Sequence, residues 1–240
     1  SARASIGFEN TEMLLADDTA AISSDVIDFV QENGNVYDDF PVTASWVRDT
    51  RNKRLMANKG SLTTMGTQAT IPGSDLEYYK LNFRHLHYIP LGKVTAISLN
   101  ASLGYGDGYG DTSRLPPFKN YFAGGSRTVR GYDSNSLGPR DPVTGDPIGG
   151  DRMILGNMEL ILPNPLETEE GSGSTRVSAF IDFGNVYRDK VELSELRAST
   201  GLSLLWLSPV GALTFSYAIP INDQEGDELQ AFQFTLGSAF

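Results

Sequence analysis

The segments ALTFSYAI (Ala212–Ile219) and AFQFTLGSAF (Ala231–Phe240) decide the fold of this chain. In both, large apolar residues alternate with small or polar residues, and a period of two is that of a β-strand. The polar faces carry Ser, Thr, Gln and Gly, whereas the outward face of a soluble β-sandwich normally carries Lys and Glu. Their lengths approach the roughly ten residues that a tilted strand needs to cross a bilayer. The two segments therefore predict transmembrane β-strands.

The same alternation recurs along the chain and predicts ten strands. The predicted strands are Ala4–Leu14, Phe40–Asp49, Ser61–Ile71, Tyr78–Ile89, Val94–Gly104, Met153–Leu162, Arg176–Tyr187, Ala198–Leu207, Ala212–Ile219 and Ala231–Phe240. We expect an all-β fold, the wall of an antiparallel transmembrane β-barrel, with neighbours paired in chain order. The side chains expected to face outward are Leu213, Phe215, Phe232 and Phe234.

The connections between these strands alternate between long and short. One set is mostly long, 17–39, 105–152, 188–197 and 220–230, with the short IPGSD turn at 71–75 as its exception; the other set is mostly short, 50–60, 90–93, 163–175 and 208–211. Long extracellular loops and short periplasmic turns are typical of outer-membrane barrels, so we expect the long set outside. Within the first long loop, Ser24–Gln31 has apolar residues at 26, 27, 29 and 30 and a glycine at 34. This pattern predicts a short surface helix.

The composition argues against several other classes of protein. The 240 residues carry a net charge of −11, which is unfavourable for binding nucleic acid. There is no cysteine, and no run of 18 apolar residues indicates a transmembrane helix. The two histidines, His85 and His87, share a face with Tyr79, Leu81 and Phe83, so we expect them to point outward. We therefore predict no catalytic residue, no metal site and no cofactor.

The long loop at about 105–152 contains the sequence YFAGGSRTVRGYDSNSLGP (Tyr121–Pro139). Its glycines allow tight turns, while its Arg, Tyr and Phe residues are unlike a disordered linker. We expect this loop to fold back into the barrel, with Arg130 at its tip. Glu159 and Asp182 interrupt the small polar faces of their strands and should face the lumen, because a carboxylate facing lipid is costly.

Arg130 is the natural partner for both acids, since a guanidinium binds carboxylates bidentately. A water-filled lumen would screen such a network, so we expect it to position the loop rather than to add much stability. The alternative is that these charges line a wet lumen without meeting.

Val129, Arg130, Gly131 and Tyr132 closely resemble the VRG(F/Y) loop of the BamA family, in the bacterial surface antigen superfamily. The resemblance continues through IPGSDLEYYK (71–80), GYGDG (104–108), LSPVGALTFSYAIPI (207–221) and FQFTLG (232–237). It implies that residues 1–240 are the C-terminal part of a barrel of sixteen strands that follows periplasmic POTRA domains. In that family the loop arginine docks on acids of the next two strands, which correspond to Glu159 and Asp182.

The resemblance implies a function as the barrel core of the machinery that inserts nascent β-barrel proteins into the bacterial outer membrane. The implied partners are the lipid bilayer, those nascent proteins and accessory periplasmic lipoproteins, without enzyme activity or cofactor. TamA-like and two-partner-secretion barrels share the VRG loop and are alternatives, as is a passive porin. The IPGSDLEYYK segment favours BamA, and a lumen lined mainly by Ser, Thr, Gly and Asn disfavours a porin.

The last strand is the reactive element under this interpretation, because an unpaired edge can template a new strand. Its residues are Phe232, Phe234, Leu236, Gly237 and Phe240. A glycine within a strand weakens local pairing and permits a kink. The final phenylalanine resembles the terminal aromatic residue that marks barrel proteins for assembly.

Overall fold

The wall of the molecule is one antiparallel sheet. The computed structural model describes residues 1–15, 22–164 and 173–237. Its elements are β1 (Ala2–Ile6), β2 (Glu9–Glu12), α1 (Ser24–Asn33), β3 (Val36–Asp39), β4 (Pro41–Asp49), β5 (Gly60–Thr70), β6 (Tyr78–Pro90), β7 (Ala96–Gly108), β8 (Gly131–Tyr132), β9 (Arg152–Leu162), β10 (Thr175–Tyr187), β11 (Arg197–Ser208), β12 (Gly211–Pro220), β13 (Leu229–Gln230) and β14 (Phe232–Leu236), with short 3₁₀ turns at Pro117–Lys119 and Leu193–Glu195.

Ten of these strands form the wall, in the order β1-β4-β5-β6-β7-β9-β10-β11-β12-β14. Each pairs antiparallel with the next, which confirms the predicted meander. The first and the last of them are the two edges of the sheet. The remaining four strands form two small ribbons, β2–β3 and β8–β13.

The side chains of the wall alternate as predicted. On the outward face, Phe232 and Phe234 are 58% and 52% exposed to solvent. On the opposite face Ser203, Ser216 and Gln233 are buried. An exposed row of large apolar side chains on one face is what a wall in contact with lipid requires.

The N-terminal strand differs from the prediction. The stretch expected as one strand, Ala4–Leu14, is divided into β1, which joins the wall, and β2, which pairs with β3 from the first long loop. Gly7 makes the last contact with the wall, donating its N–H to the Pro41 carbonyl. The single-strand prediction was wrong because ENTE has polar residues on both faces and finds its partner in the loop instead.

Three other boundaries differ from the sequence prediction. The strand expected at Val94–Gly104 runs from Ala96 to Gly108, so the long loop begins later. The last strand ends at Leu236, and Gly237 has a φ of 142°, which leaves the strand path. Phe240 lies outside the described residues. The predicted helix is present and extends two residues further, and no described helix is long and apolar enough to span a membrane.

The segment between β7 and β9, residues 109–151, packs against the inner face of the wall and is called the inner loop below. Its side chains Tyr121, Ala123, Val129, Tyr132 and Leu137 form a buried cluster with Leu155 of β9 and Val186 of β10. A second buried cluster joins α1, β3 and β6 to this loop through Phe29, Tyr37, Leu76, Tyr78 and Leu115. The loop therefore forms a hydrophobic core against the inner face of the wall.

Gly131 shows why the inner loop needs glycine at its centre. Its φ is 92°, a region that side chains with a Cβ rarely adopt. A Cβ there would also lie 3.1 Å from the Cβ of Ala218 on β12. Glycine thus lets the loop backbone approach the wall closely, directly after Arg130.

Candidate functional site: the anchored inner loop

Arg130 binds Asp182 of β10 through three hydrogen bonds. Its Nε donates to Oδ2 at 2.7 Å, its Nη2 to Oδ1 at 2.8 Å, and its backbone N–H to Oδ2 at 3.1 Å. A guanidinium that holds both oxygens of one carboxylate fixes orientation as well as position. The Asp182 side chain is 0% exposed and that of Arg130 is 8% exposed, so this ion pair lies away from water.

Glu159 of β9 is the second acidic partner. Its Oε1 lies 2.8 Å from Nη1 of Arg130, and its Oε2 accepts a hydrogen bond from Ser178 at 3.3 Å. The Glu159 side chain is 28% exposed, unlike that of Asp182. The structure therefore brings together the three residues that the sequence paired, with one buried and one partly solvated carboxylate.

The ring of Phe180, which the sequence analysis did not identify, covers one side of this site. The guanidinium carbon of Arg130 lies 3.4 Å from the centre of the Phe180 ring, a cation–π contact. The ring is 2% exposed and comes from β10, two residues before Asp182. Its signal in the sequence was a large aromatic residue on the same face as an acid, among small polar residues.

Asn157 of β9 extends the network and was also missed. Its Nδ2 donates to Asp182 Oδ1 at 3.0 Å and to the Thr128 carbonyl at 2.8 Å. Its Oδ1 accepts from Asn100 of β7 at 2.7 Å. Arg84 of β6 donates in turn to Asn100 Oδ1 at 3.0 Å. Four adjacent strands are thus linked to the carboxylate that holds the loop arginine.

The burial of this site corrects one expectation. A water-filled lumen was expected to screen the network, but Asp182 and Arg130 have almost no contact with solvent. A buried charge that loses its partner is costly, about 3–5 kcal/mol, because the remaining charge stays desolvated. Loss of either partner is therefore expected to cost stability as well as to release the loop.

The last strand carries its predicted edge residues on its outward face. Phe232, Phe234 and Leu236 are 58%, 52% and 57% exposed. On the inward face, Gln233 donates a hydrogen bond to the Tyr132 carbonyl of the inner loop at 2.7 Å. The strand thus contacts the VRGY motif directly, which the sequence did not indicate.

The outer end of the inner loop holds α1. Asp141 Oδ1 accepts the N–H groups of Val143 and Thr144, and its Oδ2 accepts the N–H and hydroxyl of Ser24 and the hydroxyl of Ser23. These bonds, the one from Thr144 first, hold the pKa of Asp141 well below its usual range. The N-terminus of α1 is therefore capped by a side chain from another loop, rather than by its own N-cap serine.

The model of the Omp85 superfamily domain matches residues 1–240, the full length of this chain. The chain belongs to the Omp85 superfamily. It is 33% identical over 227 residues to the outer membrane protein assembly factor BamA of Neisseria meningitidis, covering 82% of this chain and 28% of that protein. The corresponding values for BamA of Nitratidesulfovibrio vulgaris are 31% over 204 residues, 81% and 25%.

A solved structure of a BamA protein is also similar to this Omp85 chain. The crystal structure of BamA from Haemophilus ducreyi lacking POTRA domains 1–3 superposes with a TM-score of 0.82 and 27% sequence identity. The match covers 89% of this chain and 47% of that one. The chain spans about a quarter of the length of the BamA relatives that it matches.

The histidines of this Omp85 chain lie on the outer face of the wall, as expected. His85 Nδ1 lies 2.9 Å from Thr63 Oγ1, and the rings of His85 and His87 stack at 6.0 Å. Within residues 1–15, 22–164 and 173–237, no group of three or more His, Cys, Asp or Glu side chains is arranged to hold a metal ion.

Proposed function

We propose that this chain is the membrane-spanning wall of an assembly factor that inserts β-barrel proteins into the bacterial outer membrane. The observation that carries the proposal is the VRGY loop, held inside the wall by Arg130 on Asp182 and Glu159. The similarity to BamA proteins over most of the chain supports the same function. The last strand, at the edge of the sheet, provides the backbone donors and acceptors onto which a new strand can pair.

The packing of the inner loop supports this function over that of a passive porin. A porin needs a continuous aqueous path through its lumen. Here Tyr121, Val129, Tyr132 and Leu137 are buried against the inner face of the wall, and the loop backbone is bonded to it. A loop fixed in this way occupies space that a solute would have to pass.

The proposal assigns the wall to the outer membrane, with lipid against the outward apolar face. Its substrates are nascent outer-membrane β-barrel proteins, and accessory periplasmic lipoproteins are its partners. It needs no catalytic residue, since strand pairing and burial of apolar side chains in lipid release the free energy for insertion. Neither a metal nor a nucleotide has a part in it.

The test uses the complete protein with its accessory partners, reconstituted in lipid vesicles. An unfolded outer-membrane β-barrel protein is added, and its folded form is measured by its heat-modifiable mobility on a gel. We expect the unchanged protein to raise the folded yield well above that of empty vesicles, and Arg130→Ala to lower it.

Arg140→Ala is the matched control for this test. Arg140 is an arginine of the same inner loop, but its side chain is 28% exposed and bonds to the exposed Glu228 and to the Ser136 and Gly145 carbonyls, not to a buried carboxylate. The control should retain the full folded yield. Folding no faster than in empty vesicles with the unchanged protein would contradict the proposed function.

A further inference from the structure

The last wall strand, β14, pairs with β12 over its described residues, and single backbone bonds flank this pairing at Ala231 and Gly237. It shares five residue pairs with β12, from Leu213↔Leu236 to Tyr217↔Phe232. The neighbouring β11–β12 pair shares ten, from Ser199↔Pro220 to Ser208↔Gly211. Its other edge faces no strand of the described chain. Among the described strands β14 is paired on one side, and contacts from the inner face therefore add to its attachment.

The inner loop supplies those contacts from inside the wall. Directly before β14, Leu229 and Gln230 pair with Tyr132 and Gly131 of the loop, and Asp133 donates its N–H to the Glu228 carbonyl at 2.8 Å. The next residue of the chain, Ala231, is bonded to the wall, because its carbonyl accepts the N–H of Ala218 on β12 at 2.8 Å.

Two side chains of β14 complete the attachment. The Nε2 of Gln233 donates to the Tyr132 carbonyl at 2.7 Å, and the hydroxyl of Thr235 lies 2.7 Å from that of Ser126. Both contacts come from the inward face, whereas the outward residues of the strand are exposed. The main-chain ribbon β8–β13 and these two side-chain bonds are called the clasp below.

We propose that the clasp couples the anchoring of Arg130 to the last wall strand, β14, with Gln233 as its positioning residue. Arg130 is fixed on Asp182, and the next two residues, Gly131 and Tyr132, hold the chain that enters β14. A shift of the loop arginine therefore moves the edge strand, and a partner strand arriving at that edge pulls on the loop. The role of this coupling in assembly rests on the proposed function; the coupling itself does not.

The environment of Gln233 supports a positioning role. The residue is 4% exposed, and its Oε1 has no hydrogen-bond partner among the described residues. A buried acceptor without a donor is unfavourable for stability, and most such groups in proteins are satisfied. The amide is nevertheless used, because its Nε2 donates to the Tyr132 carbonyl of the loop.

Hydrogen exchange of the β14 amides in the complete protein in lipid tests the coupling. Gln233→Met keeps the length of the side chain but removes the donor and leaves the Tyr132 carbonyl unpaired. We expect exchange at 232–236 to become roughly tenfold faster. Arg130→Ala should produce a similar increase, although its guanidinium contacts β9 and β10 rather than β14.

Two further variants make the test specific. Ser216→Ala is the control: Ser216 is buried on the inward face of β12, opposite Gln233, and bonds to Ser203 rather than to the loop. It should leave exchange at 232–236 within about twofold. Thr235→Val removes the milder contact of the clasp and should raise exchange by a smaller factor, even where Gln233→Met fails to fold.

The double variant Arg130→Ala/Gln233→Met decides whether the two residues act along one route. A shared route predicts exchange no faster than in the faster single variant. Multiplied effects, or unchanged exchange in Gln233→Met and Thr235→Val, would overturn the clasp.

The vesicle folding assay separates the clasp from the proposed function. An active protein in which the variants leave exchange unchanged refutes the clasp alone. Coupled exchange in an inactive protein refutes the function alone.

Discussion

Arg130 is joined to two carboxylates that differ in their contact with water, and this difference sets what each side chain contributes. Asp182 is fully buried and receives hydrogen bonds from both Arg130 and Asn157. Glu159 is partly solvated and holds a single guanidinium nitrogen. Water can compensate Glu159 when its partner is lost, but it cannot reach Asp182. Asp182 is therefore the structural anchor of the loop arginine, and Glu159 adjusts the position of its guanidinium.

Removal of the guanidinium should destabilise the wall. We expect Arg130→Ala to lower the free energy of unfolding by about 3–5 kcal/mol, because Asp182 is left charged and buried. Arg140→Ala, which breaks a partly exposed ion pair and two hydrogen bonds within the inner loop, should cost clearly less, about 1 kcal/mol. Urea unfolding in lipid vesicles, followed by tryptophan fluorescence, measures both. Equal losses in the two variants would show that the Arg130 pair is solvated after all.

The two carboxylates should respond differently to neutralisation. Asp182→Asn keeps the shape of the side chain but leaves the guanidinium buried with one weaker partner, and we expect a loss of about 3 kcal/mol. Glu159→Gln should cost clearly less, because water and Ser178 remain near that position. The same unfolding experiment ranks them. A larger loss for Glu159→Gln would reverse the assignment of anchor and adjuster.

Residues of this site differ in how far the sequence could identify them. Glu159 and Asp182 were predictable because acids are rare on a face of small polar residues, and lipid excludes them from the other face. Asn157 and Gln233 were not, because an amide is ordinary on a lumen face and its partners depend on the path of the loop. The role of Phe180 was not predictable either, because the sequence does not show that the guanidinium lies over its ring.

At the scale of elements, period-two alternation located every strand of the wall, since lipid on one side and polar groups on the other impose it. It failed at both ends of the chain. Glu9–Glu12 and Leu229–Gln230 are extended, but each pairs with a loop segment rather than with the wall. The choice of partner depends on contacts distant in sequence, so local alternation cannot predict it.

The attachment of α1 should depend on pH through Asp141. Its pKa is lowered in the folded chain by hydrogen bonds from Thr144, Ser24 and Ser23, so this contribution is complete above the ordinary aspartate value, about 3.9. It is lost as the pH falls from there towards the folded pKa. A spin label on Gln31→Cys, in a chain without native cysteine, should therefore become more mobile below about pH 4.

Two variants identify the carboxylate responsible. Asp141→Asn should give a mobile label already at neutral pH and a weaker dependence on acid. Asp146→Asn, which alters an exposed side chain of the same loop, should behave as the unchanged protein. An unaltered acid response in Asp141→Asn would mean that α1 is held mainly by its other contacts, such as the Arg188 pair with Asp25.

Across the whole molecule, charge differs from one connection between strands to another. The turn at 50–60 carries Arg51, Lys53, Arg54 and Lys59 and no acid. The loop at 220–230 carries Asp223, Glu225, Asp227 and Glu228 and no base. The net charge of −11 is therefore unevenly distributed. The first long loop, 17–39, also carries acids and no base, whereas the short turns differ from one another: the turn at 50–60 is basic, and the connection at 163–175 carries Glu167, Glu169 and Glu170.

The direction of the wall in the membrane is the last prediction. Loop lengths place the inner loop outside the cell and the 208–211 turn in the periplasm. Val143 and Val210 are matched probes, because their side chains are 71% and 79% exposed at opposite ends. A maleimide that cannot cross the outer membrane should label Val143→Cys on intact cells and Val210→Cys only after the membrane is opened. The unchanged chain has no cysteine and gives the background. Labelling of Val210→Cys alone on intact cells would show that the wall has the opposite orientation, with the inner loop in the periplasm.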